Sequence, residues 1–192
     1  MTSHFTVGLL ACCTCAALAQ QPAPAKAQLQ TAGSEIVFTT RQMGVPVEGR
    51  FLKFSANVAL DPKSPQSGEV SLAIDTTSAR FGAAELDAEL PKPGWLDAVR
   101  FPQASFQSTA IKPAPAGGFD VQGKLTIKGQ ARDIAVPVRL QQSAGGLTQA
   151  SGSFTVKRLD FAVGTGEWRD TSLLANDVQV RFRLVFSNLL TP

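Results

Sequence analysis

The side chains that most often do enzyme chemistry sit together at the start of the chain. The only histidine, His4, and all three cysteines, Cys12, Cys13 and Cys15, fall within the first nineteen residues. That segment reads as a removable export signal. Phe5 to Ala19 is apolar or small throughout, and Ala17-Leu18-Ala19 fits the small-x-small cleavage pattern. Met1 to Thr6 lacks the Lys or Arg usual in such a leader. Leu9-Leu10-Ala11-Cys12 loosely matches a lipoprotein cleavage box, but Leu10 fits poorly there. Cleavage behind Ala19 and release into the periplasm is therefore the expectation. The apolar run is too short to span a membrane.

Behind Ala19 there is no His, Cys or Tyr. A Ser-His-Asp or Cys-His triad cannot be assembled. Zinc and copper sites lack their usual ligands. The commonest general base near neutral pH is missing. No catalytic residue, metal site or cofactor is expected, and the chain is not expected to be an enzyme. Carboxylate chemistry on Glu85, Asp97 or Asp160 is the remaining enzymatic route. Glu85 and Glu89, four apart, read as one solvated helix face. Gly164-Thr165-Gly166 lacks the third glycine and the βαβ surroundings of a dinucleotide loop. Arg158, Asp160, Glu167 and Arg169 read as a structural ion-pair cluster at a barrel end, with a polar site for a ligand headgroup as the alternative. The net charge is +3 and its basic residues are scattered, so a nucleic-acid surface is not expected.

The elements that must position these residues are strands. Residues 20–33 read as a disordered lead-in, rich in Gln, Ala and Pro. Ile36 and Phe38 then share a strand face. Val45, Val47, Gly49 and Phe51 alternate on odd numbers, and Phe54, Ala56, Val58 and Leu60 on even ones. A one-residue slip of this kind predicts a β-bulge, with Gly49 letting the backbone bend. Val70, Leu72 and Ile74 form the next strand. Thr76 to Arg100 alone looks helical, with Ala83, Leu86 and Leu90 at helical spacing and Pro91 as the stop. Phe106 to Ile111 follows. Phe119 to Ile127 turns at Lys128-Gly129 into Ile134 to Leu140, where Pro137 predicts an unpaired or bulged side. Gly145-Gly146 turns into Leu147 to Val156. Val178, Val180, Phe182, Leu184 and Phe186 form the last strand. Eight or nine one-sided strands with short turns predict an antiparallel barrel or sandwich whose last strand pairs with its first. Twelve Phe occur without a Tyr, and Phe38, Phe51, Phe54, Phe106, Phe119, Phe154 and Phe182 fall on apolar strand faces. They suit a packed core or a dry hydrophobic pocket.

These stretches resemble the YceI-like family of exported polyisoprenoid-binding proteins. The resemblance rests on Gly49-Arg50-Phe51 with Phe54, Ile74-Asp75 with Ser78, and Trp95-Leu96-Asp97-Ala98 running into Phe101-Pro102 and Phe106. Gly123-Lys124-Leu125-Thr126-Ile127-Lys128-Gly129 follows. Arg158-Leu159-Asp160-Phe161 with Gly164, Gly166-Glu167-Trp168 and Asp170-Thr171 completes it. The resemblance implies an all-β, eight-stranded antiparallel lipocalin-like barrel over residues 34–188, with a short helical crossover. It also implies an apolar lumen holding an isoprenoid lipid or isoprenoid quinone; transient contact with a membrane or cytochrome is a further expectation, separate from the resemblance. The alternative is a structural barrel with a packed interior. Gln42 stands where family members often carry His, and Ala162 where Gly is usual. Within that barrel, alternation assigns the lining to Phe38, Val47, Phe51, Val70, Leu72, Ile74, Phe106, Phe119, Val121, Val136, Val138, Val180, Phe182 and Leu184. Trp95 and Trp168 are expected at the lumen's ends.

Overall fold

The computed structural model describes residues 27–115, 117–143 and 145–189. The expected leader and most of the lead-in lie outside the described residues. Ten strands form: β1 (Gln28–Gln42), β2 (Val45–Phe51), β3 (Phe54–Ala59), β4 (Glu69–Asp75), β5 (Ala79–Arg80), β6 (Gln103–Pro113), β7 (Phe119–Ile127), β8 (Gln130–Gln142), β9 (Leu147–Lys157) and β10 (Asp177–Ser187). One short helix, α1 (Ala84–Glu89), stands between β5 and β6. The strands make one antiparallel sheet in the order β3-β4-β6-β7-β8-β9-β10-β1-β2-β5.

The two ends of that order belong together. β3 continues β2 past Leu52 and Lys53, and β5 continues β4 past a turn at Thr76–Ser78. β3 pairs with β4, while β2 pairs with β5. One bent hairpin therefore joins the two edges of the sheet. Counting its two broken strands once each recovers the eight strands expected. The expected slip lies at the bend: Phe51 and Phe54 both pack into core clusters, and Leu52 is turned out to solvent. Ser78 pins it. Its backbone oxygen accepts from Leu52 N at 3.2 Å, and its hydroxyl accepts from Lys53 N at 3.0 Å and donates to Asp75 O at 2.6 Å.

Gly49 does not make this bend, contrary to expectation. It is a recess: a Cβ there would lie 2.4 Å from the Phe38 ring and 2.8 Å from Arg80 O. β1 also starts earlier than its alternation does. Gln28, Leu29 and Gln30 pair with Ser187, Phe186 and Val185, so residues 28–33 are strand and not lead-in. A bulge between Gln30 and Glu35 separates this pairing from the rest. At it the Ser34 hydroxyl donates to Gln30 O and accepts from Val185 N. The first and last strands do pair, Ile36 opposite Phe182 and Phe38 opposite Val180.

The helical crossover shrinks to the six residues of α1. So short a helix gains little from its own hydrogen bonds. Short turns around Pro91, Pro93 and Gly94 replace the rest, closed by Leu96 N on Leu90 O and Asp97 N on Lys92 O, both at 3.0 Å. Lys128 and Gly129 carry φ of 49° and 73°, a two-residue hairpin turn of the mirror-image kind that matches strand twist. Pro137 lies where β8 leaves β9: only Arg139–Gln142 pair across that seam.

Candidate functional site

The inward faces of the sheet enclose a cavity of about 130 Å³. Its lining comprises Val, Leu, Ile, Phe and Ala from β1, β3, β4 and β6 to β10, together with Leu60 and Leu189, and no polar side chain. Alternation puts these residues inside. Each strand shows its even or its odd positions to the lumen, and paired strands keep the same face in register.

Eleven of the residues assigned from sequence line this cavity: Val70, Leu72, Ile74, Phe106, Phe119, Val121, Val136, Val138, Val180, Phe182 and Leu184. Phe38, Val47 and Phe51 do not. Phe38 stacks on Phe51 and Phe81, with ring centroids 5.1 and 5.3 Å apart, in an aromatic cluster beside the cavity. Val47 lies near the β1–β2 turn, opposite Thr40. Trp95 and Trp168 do not divide the two ends between them. Their rings touch each other, 5.6 Å between centroids, at the end crossed by the α1 segment.

The sequence reading missed Ile36, Leu125, Leu140, Phe154 and Phe186, although each sits on an apolar face already recognised, and Ala150, on a strand whose inward face it had not assigned. Ala56, Val58 and Leu60 carried the post-slip parity and were also left out. Ile111 is different. It is five residues from Phe106, an odd spacing that would put it outside. A register shift between Ser108 and Ala110 returns it to the lumen.

Two inward glycines keep the lumen open by letting a Phe ring lie against the wall. A Cβ on Gly123 would fall 2.4 Å from the Phe106 ring, and one on Gly152 would fall 2.8 Å from the Phe182 ring. A Cβ on Gly152 would also lie 2.1 Å from Pro137 O, just beyond the last paired residues, Arg139 and Ser151.

The end where Trp95 and Trp168 meet is also a polar cap. Arg158 is buried beneath it, and burial lowers its affinity for a proton. Its guanidinium donates to Ala175 O, Val163 O, Gly164 O, Trp168 O and Leu174 O, at 2.5 to 3.0 Å. The expected ion-pair cluster with Asp160, Glu167 and Arg169 is absent among the described residues. Arg158 is instead a strut that gathers main-chain carbonyls, a partner set invisible in side-chain composition. Gly164 leaves room for it, since a Cβ there would sit 2.6 Å from Nη1. Lys128 Nζ adds bonds to Pro93 O and Ala162 O at 2.6 and 2.7 Å. Burial lowers the pKa of Lys128. Ala162 takes a left-handed turn at φ 54°. Gln42 bridges to Leu174 at the rim of the cap. Asp97 is buried and pairs with Arg100 at 3.3 Å. No three His, Cys, Asp or Glu side chains among the described residues are grouped to hold a metal.

Comparison with known proteins places this geometry. A family model described as a YceI-like domain matches residues 28–186. A UPF0312 protein of Vibrio cholerae is 30% identical over 159 residues, covering 77% of this chain and 83% of that protein. A UPF0312 protein of Pseudomonas aeruginosa is 30% identical over 134 residues, 67% of this chain and 70% of the relative. The crystal structure of Burkholderia cenocepacia BcnA superposes with a TM-score of 0.79 at 42% identity, over 82% of this chain and 99% of that one. A polyisoprenoid binding domain from Saccharophagus degradans, implicated in plant cell wall breakdown, has the same fold, with a TM-score of 0.65 at 18% identity over 84% and 97% of the two chains.

Proposed function

The chain belongs to the YceI-like family, and on that premise we propose that it is a periplasmic carrier that sequesters a long isoprenoid lipid or isoprenoid quinone in its lumen. The observation that carries this reading is the cavity lined throughout by hydrocarbon side chains. Support for the ligand class also comes from the Saccharophagus domain, whose name records polyisoprenoid binding. The location rests on the apolar leader from Phe5 to Ala19.

The mechanism is removal of a tail from water. Each Å² of apolar surface buried contributes about 25 cal/mol, less the cost of ordering a flexible chain. A cavity of about 130 Å³ is near the size that holds a single benzene ring, about 150 Å³. With the Phe106 and Phe182 rings already against the wall at Gly123 and Gly152, a longer tail is admitted as Phe119 and Phe154 turn away from the lumen axis. These side chains have two soft torsions each and no hydrogen bond to break.

The test is mass spectrometry of an organic extract from protein purified out of the periplasm without detergent. A stoichiometric isoprenoid or quinone is expected. An empty extract, followed by failure to take up added prenyl lipid, overturns the carrier reading in favour of a barrel packed for interaction. Phe182→Asp should abolish lipid retention, and a folded variant that keeps its lipid would remove Phe182 from the site.

A further inference from the structure

Two Phe rings lie against glycines of the lumen wall, and the wall behind them differs. Gly123 on β7 is paired on both sides, with Ser108 on β6 and Ile134 on β8, so the Phe106 ring rests on closed sheet. Gly152 on β9 is paired on one side only, with Phe182 on β10. On its other side the wall is parted. β8 keeps its pairing with β7 from Val138 out to Gln130, and β9 keeps β10 out to Lys157. Between β8 and β9 the pairing stops at Arg139 and Ser151. Pro137, two residues on, has no N–H to offer a ladder. Toward the cap, Phe161 is buried in one cluster with Val136 and Val156 and wedges the two strands apart. What remains at Pro137 and Gly152 is a recess of about 490 Å³ on the outer surface. Phe182 lines both this recess and the lumen, and no other described residue does.

The recess is basic. Arg139, Arg181 and Arg183 line it with a single carboxylate, Glu35. Arg183 lies 3.3 Å from Glu35 and Arg181 3.4 Å from Glu48, and Arg139 has no ion-pair partner among the described residues. We propose that the β8–β9 seam is the side entrance to the lumen, covered from within by the Phe182 ring, and that its arginines set it against an anionic membrane surface. This rests on the carrier reading above. A prenyl tail is too apolar to cross water unaided, so the bilayer that gives it up lies against the opening. Guanidinium groups hold phosphates with paired hydrogen bonds, and clustered basic residues are drawn to an anionic leaflet. Entry breaks no ladder, because none crosses the seam at Gly152. Rotation of one ring off Gly152 joins the recess to the lumen.

The experiment follows uptake of a polyprenyl alcohol by lipid-stripped protein. The donors are vesicles of phosphatidylcholine alone or mixed with phosphatidylglycerol, and detergent micelles. Ser153 lines the recess and not the lumen. Ser153→Trp should slow uptake and release alike, about tenfold, and leave the equilibrium affinity unchanged. Gln179→Trp, the same bulk on exposed β10 surface outside the recess, should keep wild-type rates. Phe182→Ala should take up lipid about tenfold faster than Phe106→Ala. Changing Arg139, Arg181 and Arg183 together to Gln should slow uptake from the phosphatidylglycerol vesicles about tenfold and leave uptake from phosphatidylcholine as it was. The same change at Lys63, Lys112 and Lys124 should alter neither. Wild-type rates in Ser153→Trp overturn the entrance, as does Phe182→Ala no faster than Phe106→Ala. Equal effects of the two triple changes, or equal slowing from both kinds of vesicle, overturn the membrane-facing role of the arginines. If the wild type takes up no lipid from any donor, the carrier reading fails and the entrance with it.

Discussion

At the cap, Arg158 gathers five backbone carbonyls and Lys128 two more. In the lumen, hydrocarbon faces hydrocarbon across a gap. Both regions are mostly buried, yet they are built on different terms. Directional bonds fix the cap in one arrangement. The lumen is held by burial, which has no preferred direction and tolerates rearrangement. A carrier needs both: a rigid closed end, and walls that yield to a tail.

The hardest blow to this contrast is Arg158→Met. Removing the guanidinium leaves carbonyls unpaired beneath the cap. The cost should be on the order of 3–5 kcal/mol, read as a fall in the urea midpoint. A loss below about 1 kcal/mol would mean that water replaces the strut and that the cap is no more rigid than the lumen. Ala79→Leu and Ala150→Leu test the two regions with the same added atoms. Ala79 is packed against Leu90 and Leu96, so overpacking there should cost about 1–3 kcal/mol. Ala150 faces the cavity, so its new side chain should cost close to nothing while reducing prenyl-lipid uptake. Equal costs at the two positions would erase the distinction.

A smaller change runs the other way. Ala162 holds a left-handed turn that disfavours a Cβ, so Ala162→Gly should raise stability by up to about 1 kcal/mol. No gain in the denaturation midpoint would mean that the unfolded chain's extra freedom cancels the relief.

The smallest effects are those of pH. Asp75 and Asp170 each accept from a side-chain hydroxyl and a backbone N–H two residues on, Thr77 and Ser172, and the hydroxyl bonds chiefly hold both carboxyls below their usual 3.8. Their contribution is present above that value and is lost as pH falls through the lower folded values. Lys128 works in the opposite sense. Burial depresses its folded pKa below 10.5, so the unfolded chain binds more protons in that interval and stability rises with pH across it. Denaturation midpoints across the pH range should show a shallow acid loss that Asp75→Asn reduces and a shallow alkaline gain that Lys128→Met removes.

Much of the lumen was legible in the sequence because alternation is a local signal. Phe119, Val121, Val136, Val138 and Val180 announce their face by parity alone. Phe38 has that parity too, but the recess at Gly49 and the ring of Phe81 draw it into a neighbouring cluster. That is a matter of three-dimensional proximity. Ile111 was hidden by the bulge after Ser108, and residues 28–33 by a partner strand more than 150 residues away. Arg158 was misread because its partners are carbonyls, which every residue supplies and no residue type advertises.

The pairing of β1 with β10 also bears on when the molecule can fold. Strand β1 has no neighbour on one side until the last strand has been made. Contacts this distant in sequence are slow to form, because the whole intervening chain must be ordered before they are rewarded. A chain emerging from the ribosome therefore remains open until its final residues appear.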